Sequence, residues 1–123
     1  MKRSLYILIV EDDPALGELT LRALIQLGHR SVLANTAPAA YEHLSEPHEF
    51  HLILLDLQLG DQRSEPLILR LQDEGFKIPK ILIFSAQPVL ELHRVSHVIG
   101  AHGFVQKPAS IGQIDAAIEL ATA

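Results

Sequence analysis

Three stretches of this chain are apolar without interruption: Leu5 to Val10, Leu52 to Leu55 and Ile81 to Phe84. A strand with one wet face alternates apolar and polar residues. Unbroken runs of this length therefore predict strands covered on both faces, as in a parallel sheet beneath helices. Ser31 to Ala34 and Gly103 to Val105 are weaker candidates of the same kind. Between the runs the spacing turns helical. Asp13-Pro14 opens a first helix as cap and first-turn residue. Leu16, Leu19, Ala23, Leu24 and Leu27 mark its expected apolar face, and Gly28 closes it. Thr36 caps a second helix carrying Ala40, Tyr41 and Leu44. Leu67, Ile68 and Leu71 mark a third, ended by Gly75. Val89 to Ile99 is a fourth, with Leu92, Val95, Val98 and Ile99. Ser110 and Gln113 have capping-box spacing before a fifth, whose apolar face is Ile111, Ile114, Ile118 and Ala121.

The order is strand then helix, five times over. Strict alternation predicts an α/β fold with a parallel sheet and right-handed crossovers that put helices on both faces. Five strands are too few for a closed eight-stranded barrel, so an open, doubly wound five-stranded sheet is expected. It forms one domain over residues 1–123.

Composition narrows the class. The chain is 48% hydrophobic and 20% charged, which is a globular balance and not a disordered one. It has no cysteine, which excludes disulfides and thiolate chemistry and suits a reducing compartment. Ten basic residues against 15 acidic ones give a formal charge of −5, which argues against bulk nucleic-acid binding. The start, MKRSLYILIV, has two basic residues before an apolar run, but EDDP follows at once where a signal peptide would continue. No apolar stretch approaches the roughly 20 residues of a membrane span. A cytoplasmic protein with no membrane contact is expected.

Ligands of open α/β sheets bind outside the carboxyl ends of the strands. The first apolar run ends in Glu11-Asp12-Asp13, the second in Asp56, the third in Ser85-Ala86, and the last candidate strand runs into Lys107-Pro108. Carboxylates crowded at one edge repel, so they raise one another's pKa or take up a cation. A hard divalent ion with oxygen ligands fits, Mg2+ above all. A lone aspartate after an apolar strand can act as a nucleophile toward phosphorus. A lysine and a metal offset charge on the transferring group, and a serine hydroxyl can donate to it.

The ordered set ILIVEDDP, LILLD, ILIFSA and FVQKP, at these separations, resembles the receiver domain of two-component response regulators over essentially the whole chain. The resemblance implies the flavodoxin-like strand order 2-1-3-4-5, for which the receiver protein of chemotaxis is itself a standard example. It implies that Asp56 is phosphorylated by a sensor histidine kinase or histidine phosphotransfer protein. Asp12 matches the direct Mg2+ carboxylate, with Glu11 assisting through water, and the backbone carbonyl of Gln58 matches the third protein ligand. Ser85 matches the switch hydroxyl, Lys107 the phosphate-pairing lysine, and Phe104 an aromatic that turns inward on activation. Asp13 reads chiefly as a helix cap. A receiver is a signalling switch and not an enzyme beyond its own phosphorylation and dephosphorylation. Its output passes to a downstream protein or to an output domain of a parent chain.

Some positions depart from the family pattern. Gly60 stands where proline is frequent, Ser64 where glycine is common, and both bear on loop shape. Gln58 and Gln87 occupy positions that influence dephosphorylation in the family. The last helix has Asp115 and Glu119 but no lysine or arginine, against the salt-bridged dimer of DNA-binding regulators. Ser85 has a rival reading as a helix cap before Pro88, and Phe104 as plain core. His93 and His97 have zinc-compatible i, i+4 spacing but no third ligand, so an exposed polar face is the better reading. Leu90 with His93 and His97 is expected to border the protein-binding surface of helix 4, strand 5 and helix 5. Three rivals remain. A flavin module would need a Gly-rich phosphate loop where Glu-Asp-Asp-Pro stands. An aspartate phosphatase would need a second aspartate at Gln58. A degenerate receiver would serve only for docking.

Overall fold

The computed structural model describes residues 3–123, so Met1 and Lys2, the start of the basic stretch read above, lie outside the described residues. Five strands form one parallel sheet: β1 (Tyr6–Val10), β2 (Arg30–Ala34), β3 (Leu52–Leu55), β6 (Lys80–Ser85) and β7 (Gly103–Gln106). Their order is β2-β1-β3-β6-β7. A small antiparallel hairpin, β4 (Gln58–Leu59) and β5 (Gln62–Arg63), takes two numbers after β3, so the order is the expected 2-1-3-4-5. The helices are α1 (Pro14–Gln26), α2 (Ala37–Ser45), α3 (Glu65–Asp73), α4 (Val89–Ile99) and α5 (Ile111–Ala121).

The unbroken apolar runs have the reason inferred from them. Leu8, Val10, Ile53, Leu55, Ile81 and Ile83 point to one side and pack under α2, α3 and α4. Ile7, Ile9, Leu52, Leu54, Leu82 and Phe84 point to the other and pack under α1 and α5. Each strand alternates, but both of its faces are covered, so both registers must be apolar.

The caps agree with the sequence at three helices. Asp13 Oδ1 accepts from the Ala15 and Leu16 amides at 2.9 and 3.1 Å. Thr36 Oγ1 accepts from the Ala39 amide, and Ser110 and Gln113 form the reciprocal capping box. The apolar face of α1 differs from expectation. Gly17, Thr20 and Leu24 are the buried positions, whereas Leu19 is 63% exposed. The cause is close approach. A Cβ on Gly17 would sit 2.9 Å from Leu33 Cδ2, so the glycine turns inward against β2 and rotates Leu19 out. Ile111 and Val98, also expected in apolar faces, are exposed at the rims of theirs. The hairpin was not foreseen, because two-residue strands carry no periodicity. Its turn is Gly60-Asp61: Gly60 has φ +66°, and glycine leads the two-residue loop.

Candidate functional site

The carboxyl ends of β1 and β3 are adjacent in the sheet, so the residues that follow them must meet. Glu11 leaves β1 with its amide on the Ala34 carbonyl (3.1 Å), while its own carbonyl accepts from Asn35 Nδ2 (3.1 Å). Asp56 leaves β3 with its amide on the Val10 carbonyl (3.0 Å). One carboxylate oxygen from each of Glu11, Asp12 and Asp56 lies within 4.8 Å of the other two. Among the described residues no other group of three potential ligands gathers this closely. Glu11 and Asp56 are buried, and Asp12 is half-buried.

Lys107 answers part of this charge. It follows β7, and its amide on the Ser85 carbonyl (2.9 Å) extends the β6–β7 ladder by one residue. Its ammonium pairs with Glu11 and donates to Asp56 Oδ2 at 3.0 Å, and it lies 5.2 Å from the centroid of the Phe84 ring. The Lys107-Pro108 bond is cis. The other Asp56 oxygen accepts from the Gln58 amide at 3.2 Å. One ammonium thus pairs with two of the three clustered carboxylates. Burial holds the Glu11 carboxyl above its ordinary pKa, the neighbouring Asp56 charge adds to this, and the Lys107 bond opposes it. All the side-chain donors are hard oxygens, and negative charge is in excess. That set fits a divalent cation of the Mg2+ type, with Asp12, Asp56 and Glu11 as the residues that would hold it.

The hairpin forms a wall of the site. A Cβ on Gly60 would lie 3.8 Å from Asp12 Oδ2, so the turn runs beside the acidic cluster. A cleft of about 570 Å³ opens here, bounded by Asp12, Asn35, Thr36, Gly60 and Asp61 among others.

Of the residues singled out in the sequence, Glu11, Asp12, Asp56 and Lys107 come together, with Gln58 in contact through its amide. Ser85 is buried beside them, but its hydroxyl accepts the Gln87 amide at 3.4 Å. It does not cap α4, whose cap position is Pro88. Phe104 lies further back on β7, half-buried on the core layer beneath α4. It meets His93 edge to face at 4.7 Å. His93 and His97 are exposed, in keeping with the polar-face reading.

Two features escaped the sequence reading. Ser64 is wholly buried, its hydroxyl donates to the Asp56 carbonyl at 2.7 Å, and its amide bonds the Leu57 carbonyl. It pins the loop that carries Asp56. The sequence marked Ser64 only as a departure bearing on loop shape, and not as a partner of the Asp56 carbonyl. Arg63 bonds Glu65 at 2.8 Å and Glu91 at 3.1 Å, while Arg94 pairs with Glu65 and Glu91. This network joins the hairpin and α3 to α4, and no local pattern announces it.

The model of the response regulator receiver domain matches residues 7–119. The chain belongs to the response regulator receiver family. The receiver is 33% identical over 113 residues to the transcriptional regulatory protein PmrA of Pectobacterium parmentieri, covering 91% of this chain and 50% of that one. It is 32% identical over 109 residues to a probable transcriptional regulatory protein, SilR, of Salmonella typhimurium, covering 88% and 46%. The chain thus spans about half the length of these relatives. Among solved structures, the non-phosphorylated HemR receiver domain from Leptospira biflexa superposes with a TM-score of 0.81 at 31% identity, covering 98% of this chain and 95% of that one. A CheY-like receiver domain protein from Methanospirillum hungatei JF-1 gives 0.82 at 25% identity, covering 95% and 92%. The receiver has the flavodoxin-like fold of these neighbours, and among the described residues no helix is long and apolar enough to cross a membrane.

Proposed function

We propose that this receiver is a phosphorylation switch whose acceptor is Asp56, charged by a sensor histidine kinase or histidine phosphotransfer protein in the cytoplasm. The observation that carries the reading is the Lys107 ammonium shared between Glu11 and Asp56 beside Asp12. In the transfer, an Asp56 carboxylate oxygen forms the new O–P bond as the donor's N–P bond breaks, and the electron pair leaves on the donor imidazole. Lys107 is placed to follow the charge onto the phosphoryl oxygens. Its amide bonds the Ser85 carbonyl across the ladder, and Ser85 would exchange its Gln87 contact for a hydrogen bond to one of those oxygens. Mg2+, when bound by Asp12, Asp56, Glu11 and the Gln58 carbonyl, supplies neutralisation of phosphoryl charge.

The output reading follows from α4. Leu90 is 84% exposed, and His93, His97 and Val98 lie on the same side of the molecule's α4–β7–α5 surface. Phe104 and His93 couple β7 to that helix, so repacking at Phe104 would be felt there. The population shift is as large as the phosphoryl group's differential contacts in the two states. The partner is a separate protein or an output domain of a longer chain.

The test is intact mass after incubation with acetyl phosphate and Mg2+. One phosphoryl adduct is expected, lost in Asp56→Asn and with chelator. Absence of any adduct, or its survival in Asp56→Asn, would refute the reading. For the output face, Leu90→Ala and His97→Ala should weaken partner binding at least tenfold by calorimetry, with the mass adduct unchanged.

A further inference from the structure

Ser64 is a buried polar residue to which the phosphorylation reading gives no role. It is wholly buried and stands at the cap position of α3, with φ −92° and ψ −13°. A serine at a helix start ordinarily accepts from amides of the first turn. Ser64 makes no such bond. Its hydroxyl donates instead to the Asp56 carbonyl at 2.7 Å. The helix tolerates the loss, because Pro66 has no N–H to satisfy and Glu65 puts negative charge in the first turn.

The same residue holds the next peptide. Its amide donates to the Leu57 carbonyl at 2.9 Å. Ser64 therefore binds two successive carbonyls, one with each of its donors. Every polar group of Asp56 then has a partner. Its amide is on Val10, its carbonyl on Ser64, Oδ1 on the Gln58 amide and Oδ2 on Lys107.

The hairpin carries the constraint one residue further. Gln58 pairs with Arg63, and Leu59 with Gln62. Antiparallel pairs alternate between hydrogen-bonded and non-bonded. Leu57 and Ser64 are bonded, so Gln58 and Arg63 form the non-bonded pair next to them. The amide and carbonyl of Gln58 thus both face away from Arg63, and the amide is on Asp56 Oδ1 at 3.2 Å. The Gln58 carbonyl shares that edge, and its direction follows from the Leu57 peptide that Ser64 holds. The turn beyond adds little stiffness, because Gly60 has no Cβ and sits at φ +66°. Ser64 itself is well anchored, since its neighbour Arg63 bonds Glu65 at 2.8 Å and Glu91 at 3.1 Å.

We propose that Ser64 is a positioning residue for the divalent cation of the acidic site. Through the Asp56 and Leu57 carbonyls it fixes the Gln58 carbonyl against the Asp56 carboxylate in advance of any ion. The inference rests on the phosphorylation reading, which makes both groups ligands of Mg2+. Without the hydroxyl, the Asp56–Leu57 peptide loses its tie to α3 and the two ligands lose their fixed spacing. Removing an outer partner that orients metal ligands costs on the order of tenfold or more in metal affinity.

The test is a titration of the full chain with MgCl2, followed through the amide resonances of Gln58 and its neighbours by NMR. Ser64→Ala should raise the Mg2+ dissociation constant about tenfold. In the acetyl phosphate reaction, the Mg2+ concentration for half-maximal adduct should rise by the same factor, with the adduct restored at saturating Mg2+. His29→Leu is the control. It also removes a buried bond, from the Leu5 amide at the other end of the sheet, and should leave the Mg2+ affinity unchanged. Urea unfolding confirms that each variant is folded. Should Ser64→Ala not fold, Ser64→Cys carries the same comparison, because a thiol is a weaker donor and should lose affinity in the same direction. Parental Mg2+ affinity in the folded Ser64 variant, or an equal loss in His29→Leu, would overturn the proposal while leaving the Asp56 adduct in place. A parent chain that binds no Mg2+ and gains no adduct would overturn the phosphorylation reading with it.

Discussion

The two ends of the sheet face the same problem with opposite solutions. At the amino end, the first amides of the strands project beyond the ladder and need acceptors. Three histidines supply them. The Leu5 amide donates to His29 Nδ1 at 3.1 Å, the Tyr6 amide to His51 Nδ1 at 2.8 Å, and the Ile81 amide to His102 Nδ1 at 3.1 Å. His51 and His102 complete the exchange by donating their own amides to the Tyr6 and Ile81 carbonyls. Each histidine immediately precedes a strand, so one side chain extends the ladder by one acceptor. Each of these three amides has a ring nitrogen as its acceptor. At the carboxyl end three carboxylates gather, and one ammonium pairs with two of them, Glu11 and Asp56. The amino end is built for the resting fold alone. The carboxyl end keeps an excess of negative charge, and on the proposed reading it is where an input acts.

The largest effect that breaks this contrast is at Lys107. Removing one partner of a buried ion pair leaves its counterpart uncompensated, at about 3–5 kcal/mol. The residual exposure of these side chains lowers the expected cost of Lys107→Met to about 2–3 kcal/mol in urea unfolding with chelator present. Millimolar Mg2+ should recover more stability in this variant than in the parent. A variant of parental stability, indifferent to Mg2+, would show that the carboxylates do not repel.

At the amino end the effects follow burial. His29→Leu orphans a buried amide and should cost about 1–3 kcal/mol. His102→Leu should cost less, since its bond is only partly buried. His51→Leu should stay within about 0.5 kcal/mol, because water replaces the ring at an exposed bond. None should respond to Mg2+. Equal costs at the three positions, or a Mg2+ response, would dissolve the distinction between the ends.

The two ends also differ in how much of them the sequence reveals. Glu11, Asp12, Asp56 and Lys107 each follow an apolar run, and the rule that strand ends converge brings them together from local pattern alone. The histidine acceptors precede the strands just as regularly, yet histidine before a strand has no fixed meaning until the neighbouring amide is known. Their partners come from other parts of the chain. The same holds for Ser64 and for the network of Arg63, Glu65, Glu91 and Arg94, which depend on contacts between elements. Leu19 fails for a related reason: periodicity identifies an apolar face, but the close approach of Gly17 to Leu33 sets its rotation. Fold class was legible because it depends on element type and succession, and the strand order came with the family resemblance. Helix rotation, and the tertiary contacts that hold the loops, were not.

The smallest expected effect is a change of slope with pH, and it separates a carboxylate at the site from one on the surface. Burial raises the Glu11 pKa above its ordinary 4.5, helped by the Asp56 charge and opposed by Lys107. At Glu11 the fold binds a proton more tightly than the unfolded chain does. The resulting stability is fully present below 4.5 and is lost as pH rises through the raised value. Glu91 has the opposite sign. Its hydrogen bond from Arg94, with Arg63 assisting, lowers its pKa, so its contribution is present above 4.5 and lost as pH falls through the lowered value. Urea midpoints measured with chelator from pH 3 to 7 should therefore part company. Relative to Glu11→Gln, the parent should lose stability as pH rises above 4.5. Relative to Glu91→Gln, it should lose stability as pH falls below 4.5. A Glu11→Gln curve parallel to the parent above 4.5 would mean that Lys107 compensates its partners fully, and that the carboxyl end is as settled as the amino end.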